Sequence, residues 1–302
     1  MFSEKILTSQ SGAILYGITP PKEKTPPERL SVIAKNRSDR INSLSPDALI
    51  VYDIQDESSR TDQKRPFEFF PTLDPLSYAD GSHRDVLCEK IIYHVAGKYT
   101  PAQLKERIAA ANESHHLSVY VGAATKESPS RCTLSQAYEL WRTSSGKGLT
   151  GGVTIPERHH SKKTEHLRVA DKQRFGCSFF VSQCICNINL VKNFISDYCA
   201  LTEELQMKRA YLIFTLSLCG NLETLRLMRW LGIDVPDKME DQLTRSVDVL
   251  EESIRQNEAI AFDLANYCKA MGVCCGFNIE SISPKIAEIE ATVVLTNLIK
   301  KF

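Results

Sequence analysis

Residues 149–183 read LTGGVTIPERHHSKKTEHLRVADKQRFGCSFFVSQ. An apolar run, Leu149–Ile155, breaks at Pro156 into Glu157, Arg158, His159 and His160. A charged helical stretch, Thr164–Phe175, follows, and a second apolar run beginning at Cys177 ends on the amide Gln183. Strand, polar rim, helix and strand in this order form the repeating unit of a parallel α/β fold. Ligands bind such folds at the carboxyl ends of the strands, so the acids, imidazoles and amide collected there are candidates for a site. A solvated loop accounts for any one of them singly; recurrence of the same placement along the chain is what favours function.

Similar short runs, rich in β-branched or aromatic residues, lie at Ala13–Ile18, Ala48–Ile54, Ile91–Ala96, Leu117–Ala123, Cys177–Ser182, Tyr211–Leu216 and Gly272–Ile279, and with Leu149–Ile155 they make eight. Their near-continuous hydrophobicity suits strands covered on both faces. Pro27–Leu44, Thr133–Trp141, Leu190–Gln206, Leu222–Leu231 and Pro284–Ile299 carry helical spacing, and Thr100-Pro-Ala-Gln-Leu opens as an N-cap followed by a first-turn proline. The alternation predicts an α/β fold of the (β/α)8 TIM-barrel type, formed by one domain over residues 1–302. An open doubly wound sheet is the alternative, because the helix-rich stretch Asp237–Ala270 lengthens the gap before the last strand. Two long connections stand out, residues 56–85 and Ala124–Arg131; loops of the first length are usually lids or binding elements.

Lysine plus arginine equals aspartate plus glutamate, 37 of each, so binding to nucleic acid or to an acidic membrane surface has no electrostatic support. The first residues, MFSEKILTSQSGAILYG, lack the apolar core and cleavage pattern of a secretory signal. With no run of about 20 apolar residues either, a cytoplasmic protein is expected. The 10 cysteines are scattered through apolar runs and are expected as buried thiols. Cys184-x-Cys186 and Cys274-Cys275 have no second pair at zinc-finger spacing, so no metal is expected. Neither a Gly-x-Gly-x-x-Gly fingerprint, a P-loop nor a Gly-x-Ser-x-Gly elbow occurs. The apolar helices near the carboxyl end suit either the barrel wall or an interface between copies, which leaves a homo-oligomer open.

Following each strand come Thr19; Asp53, Gln55, Asp56 and Glu57; His94; Thr125; Glu157 and His159; Gln183; Thr215 and Ser217; and Asn278 and Glu280. A barrel mouth so lined suits a polar, heterocyclic ligand. Glu165 and Lys172 stand seven residues apart and so share a helix face. A carboxylate suits ribose hydroxyls and a lysine suits phosphate, against the plainer reading of a solvated ion-paired face. His94, inside an apolar run, is on its own more often a core histidine than a catalyst. Gln183 ends a buried strand with four hydrogen-bonding positions to satisfy.

In order along the chain, several segments resemble the methylenetetrahydrofolate reductases: Tyr16-Gly-Ile-Thr-Pro-Pro-Lys22, His94 before a Thr-Pro helix start, Gly151-Gly-Val-Thr-Ile-Pro-Glu-Arg-His159, Glu165 with Lys172, Phe175-Gly-Cys-Ser-Phe-Phe-Val-Ser-Gln183, and Gly276-Phe-Asn-Ile-Glu280-Ser. The resemblance spans almost the whole chain. It implies a barrel in which NAD(P)H reduces FAD and the flavin reduces 5,10-methylenetetrahydrofolate to 5-methyltetrahydrofolate. It further implies flavin contacts at His94, His159, Glu165 and Lys172, the last two near ribose and phosphates, and substrate contacts at Gln183 and Glu280, with Leu222 near the place of a family aromatic that packs against substrate or nicotinamide.

Two departures accompany the resemblance. The family's first strand ends in Glu-Phe-Phe-Pro-Pro, whose glutamate is the general acid; here Gly17-Ile-Thr-Pro-Pro stands in its place. Glu68-Phe-Phe-Pro71 looks similar but comes one strand too late. The family's Arg-Gly-Asp after the fourth strand is replaced within Val121-Gly-Ala-Ala-Thr125. Asp53, Asp56, Glu57, Glu157 and Glu280 are the acids expected at the same mouth, with Asp53 or Glu57 favoured as the catalytic acid because the second strand neighbours the first. The reductase reading therefore stands beside a second: a barrel that binds a folate or another heterocycle without flavin redox, as a transferase, an accessory one-carbon protein or a flavin-free reductase.

Overall fold

Strand β1 (Ala13–Ile18) pairs in parallel with β2 (Ala48–Val51) on one side and with β8 (Cys275–Glu280) on the other, so the sheet has no free edge. Between them β3 (Glu89–Val95), β4 (Leu117–Val121), β5 (Thr150–Thr154), β6 (Cys177–Cys184) and β7 (Tyr211–Ser217) follow in sequence order to close an eight-stranded barrel. The computed structural model describes residues 1–58, 61–122, 130–144 and 148–302. Parallel pairing throughout puts the carboxyl ends of all the strands on one rim. The doubly wound alternative is set aside by the β1–β8 pairing.

Side chains alternate across the wall. Leu15, Ile50, Ile91, Val119, Val181 and Ile213 share the interior cluster, and their neighbours in sequence face the helices. Glycine makes room at one interior point: a Cβ on Gly151 would stand 2.5 Å from the ring of Phe179, whose phenyl group occupies that space. The β5–β6 register shifts between Thr150 and Gly151, which brings Gly151 opposite Phe179.

The outer layer comprises α2 (Pro27–Leu44), α3 (Pro75–Gly81), α4 (Pro101–Glu113), α5 (Leu134–Arg142), α6 (Glu157–Lys162), α7 (Glu165–Arg174), α8 (Ile188–Glu204), α9 (Leu222–Trp230), α10 (Asp237–Arg245), α11 (Val249–Met271) and α12 (Ile286–Ile299). Thr100 does cap α4: its hydroxyl accepts from Gln103 N–H and the Gln103 side chain returns to the Thr100 amide. The helix-rich stretch Asp237–Ala270 resolves into α10 and most of α11; α11 packs on α8 and α12 as a wall helix.

Helix α1 (Phe2–Thr8), which the sequence reading left unassigned, closes the barrel at the amino ends of the strands. Phe2 is fully buried and meets Phe179 and Tyr211 edge-on, with ring centroids 5.1 and 5.8 Å apart.

At the opposite rim the loops after β1 and β2 are zipped together. Glu23 N–H donates to Pro71 O at 3.0 Å and Leu73 N–H to Pro21 O at 2.8 Å. The Glu68-Phe-Phe-Pro71 segment thus reaches the end of β1, with Glu68 exposed. Of the Val121-Gly-Ala-Ala-Thr125 replacement, Val121 ends β4, while residues 123–125, and with them most of Ala124–Arg131, lie outside the described residues. Among the described residues no helix is long and apolar enough to cross a membrane. All the cysteines are free, Cys88 and Cys274 half-buried and the others buried.

Candidate functional site

Carrying the strand alternation one step past the apolar layers brings Gly17, Tyr52, Thr215 and Asn278 to the mouth. Tyr52 Oη accepts from Asn278 Nδ2 at 2.8 Å, and the same nitrogen lies 3.2 Å from Thr215 Oγ1. The Tyr52 ring packs edge-on against Tyr93 at 4.9 Å. Glu280 completes the group: burial raises its pKa, and hydrogen bonds from Tyr52 and Asn278 oppose the shift. Asn278 Oδ1 is buried without a hydrogen-bond partner, an acceptor left open at the mouth.

This arrangement explains the first departure from the reductases. A Cβ on Gly17 would come within 2.9 Å of a Tyr52 ring carbon and 3.1 Å of Asn278 Oδ1. A glutamate has no room there, because Tyr52 and Asn278 fill the space. Glu280 is the register partner of Gly17 across the β1–β8 seam. The carboxyl is therefore present at the same level of the barrel, one strand over.

Glu157 brings a second carboxyl from the start of α6. Both its oxygens are buried without a hydrogen-bond partner, and burial, reinforced by the charges of Asp234 and Glu165, raises its pKa to about 7. The Cys184 thiol, at the end of β6, is pushed well up by its hydrogen bond with Cys186 and by burial, and the charges of Glu280 and Glu157 add to this. Both carboxyls thus act on the end of β6. Gln183, in the same strand, donates from Nε2 to Leu231 O at 3.0 Å and so ties β6 to the end of α9. Leu222 opens α9 and is 49% exposed.

The other expected residues take different places. Asp53 is buried at the end of β2, where it accepts from Val95 N–H at 2.8 Å and Tyr99 Oη at 3.3 Å and pairs with the Lys98 ammonium. It staples the end of β2 to the end of β3, and with its oxygens so engaged it does not stand as the mouth's free acid. Glu57 lies half-buried in the following loop. His94 follows the inward-facing Tyr93 and so turns to the outside of the wall, where it stacks on Tyr120 at 5.5 Å with Nε2 3.4 Å from Ser118 Oγ. Burial lowers its pKa to about 3, the behaviour of a neutral core histidine.

Glu165 and Lys172 do share a helix face, but that face meets the wall. Glu165 Oε1 accepts from Ile155 N–H at 2.9 Å and Thr154 Oγ1 at 3.2 Å. Lys172 Nζ donates to Val153 O at 2.5 Å, and burial lowers its pKa against the pull of Glu165. Together they bind the last groups of β5 and the residue that follows it. His159 is buried with Nε2 2.8 Å from Asp197 and its ring edge-on to His166. The four positions implied for a flavin are thus engaged behind β3, behind β5 and between helices. Among the described residues no group of three or more His, Cys, Asp or Glu side chains gathers to hold a metal.

No protein-family model matches the chain, and no curated protein matches it. Among solved structures, an uncharacterized protein from Clostridium thermocellum that binds two copies of 5-methyl-5,6,7,8-tetrahydrofolic acid is 36% identical, with a TM-score of 0.86 and coverage of 99% of each chain. The chain belongs to the family of this clostridial protein. Two further solved structures share the barrel alone with this chain. The FMN-bound oxygenating constituent of 3,6-diketocamphane monooxygenase from Pseudomonas putida is 12% identical with a TM-score of 0.58, covering 96% of this chain and 97% of that one. The spore cortex-lytic enzyme SleL of Bacillus cereus is 10% identical with a TM-score of 0.50, covering 95% and 74%.

Proposed function

We propose that this protein is a folate-binding barrel that holds a reduced folate of the 5-methyltetrahydrofolate type at the carboxyl ends of its strands. The observation that carries this reading is the full-length likeness, at 36% identity, to a protein that binds that ligand. The chemistry of the mouth supports it. A pterin offers N–H donors beside ring acceptors on a flat heterocycle. Asn278 Oδ1 is an open buried acceptor, Glu280 and Glu157 supply carboxyls, and Tyr52 with Tyr93 supplies apolar ring surface.

A ligand that binds only the folded state stabilises it by about 2.7 kcal/mol at 100 times its Kd, so 5-methyltetrahydrofolate is expected to raise the melting temperature by several degrees. Asn278→Ala is expected to shrink that rise. A melting temperature that stays put in millimolar ligand would refute the reading.

One observation favours a second reading, reduction of 5,10-methylenetetrahydrofolate with NAD(P)H: two mouth carboxyls have raised pKa values, as a proton donor working near neutral pH requires. In that reaction Glu280 would hold the proton delivered to the folate nitrogen, hydrogen-bonded to Tyr52 until transfer. Oxidation of NADH or NADPH that needs the methylene folate and disappears in Glu280→Gln is the expected result, assayed with and without added FAD. No oxidation of either nucleotide under both conditions would remove this reading and leave the binding one intact.

A further inference from the structure

We propose that Arg65 anchors a carboxylate of the glutamyl tail of a folate bound at the mouth, an inference that rests on the folate-binding reading. The segment after β2 folds onto the end of α9: Trp230 Nε1 donates to Gln63 O at 3.0 Å. This places the Arg65 guanidinium beside two rings, its carbon 5.2 Å from the Trp230 ring centre and 5.3 Å from that of Phe69. Its Nε and Nη1 are buried and have no hydrogen-bond partner among the described residues.

A guanidinium is always charged and carries five N–H donors. Aromatic faces attract the cation but accept none of those hydrogen bonds in full. A buried cation with open donors is costly unless an anion completes it. Asp56 is near enough for the charges to interact, but its Oδ1 is already held by Ser58 N–H at 2.9 Å and Ser58 Oγ at 2.6 Å. The partner that fits is a planar carboxylate, which a guanidinium binds by charge-assisted hydrogen bonds.

Position decides which carboxylate. Leu231, next to Trp230, receives the Gln183 amide, so the path from the end of β6 to Arg65 crosses only the last turn of α9. A folate carries its acidic groups at one end, separated from the pterin by an aminobenzoyl ring. With the pterin among Asn278, Glu280 and Gln183, the tail leaving the mouth beside α9 meets Arg65, and the aminobenzoyl ring passes the aromatic pair that flanks it.

Isothermal titration of the whole chain with two probes tests this: 5-methyltetrahydrofolate, and 6-methyltetrahydropterin, which lacks the aminobenzoylglutamate. Arg65→Gln is expected to weaken 5-methyltetrahydrofolate by about 10- to 100-fold and to leave the tail-less pterin within about twofold, with Arg65→Lys in between. The unliganded melting temperature of Arg65→Gln is expected to equal or exceed that of the unmodified chain, because two buried donors without acceptors have been removed. Unchanged affinity for 5-methyltetrahydrofolate in Arg65→Gln overturns the anchor and leaves folate binding standing. So does a lowered unliganded melting temperature with both probes weakened alike, which marks a structural arginine. An unmodified chain that binds neither probe overturns folate binding itself, and the anchor with it.

Discussion

Gly276→Ala is expected to keep the barrel from closing. Gly276 faces Ala13 in the β1–β8 ladder, the seam that joins the last strand to the first. A Cβ there would collide with the Ala13 carbonyl oxygen and stand 2.9 Å from Ala13 Cβ. Overpacking against a side chain that can turn aside costs about 1–3 kcal/mol. Here the obstacle is a backbone carbonyl within a hydrogen-bonded ladder, so relief requires the two strands to part, and a loss of about 3 kcal/mol or more follows. Gly272→Ala is the comparison: φ is +64° there, in the left-handed region at the end of α11, and about 1 kcal/mol is expected from backbone strain alone. Soluble yield and urea unfolding followed by tryptophan fluorescence measure both. A Gly276→Ala protein no less stable than Gly272→Ala would show that the seam tolerates what the geometry forbids.

Glu157→Gln is expected to make the protein more stable in alkaline solution. The ordinary glutamate pKa of 4.5 applies to the unfolded chain, and the folded value is about 7. Between those values the native state keeps a proton that the unfolded state has released, so stability falls as pH rises through that window. Each unit of difference corresponds to about 1.4 kcal/mol, which makes the total loss about 3 kcal/mol by pH 8. Glutamine does not ionise and escapes that loss. The variant and the parent should therefore have similar urea midpoints at about pH 4.5 and diverge above it, the variant ahead by about 2–3 kcal/mol at pH 8. Parallel stability curves across that range would mean that Glu157 meets solvent or a cation in solution.

Much of the architecture is legible in the sequence because a parallel barrel buries its strands on both faces. Ala13–Ile18 and Pro27–Leu44 are read with the bounds the structure gives them, and the other strands differ only at their ends. Helix α1 is invisible for the converse reason: it spans two turns and buries only Phe2 and Ile6, too short for a period to show. At the site, Gln183 and Glu280 emerge because a polar residue closing an apolar run must meet something. Misassignment enters where one residue of offset decides the side of the wall. Tyr93 is inside and His94 outside, yet both sit in the same apolar run. Glu165 and Lys172 show the same limit for a helix, since spacing establishes a shared face but not what that face meets. Arg65 lies in a loop without periodicity, and only the fold brings the Trp230 ring to it beside that of Phe69.

Moving a carboxyl from β1 to β8 amounts to a rotation of about one-eighth of a turn around the barrel axis. The strand bearing the Gln183 amide, β6, is three steps from β1 but only two from β8. A heterocycle grasped by both the amide and the acid must therefore lie across a shorter chord of the rim than one grasped from β6 and β1.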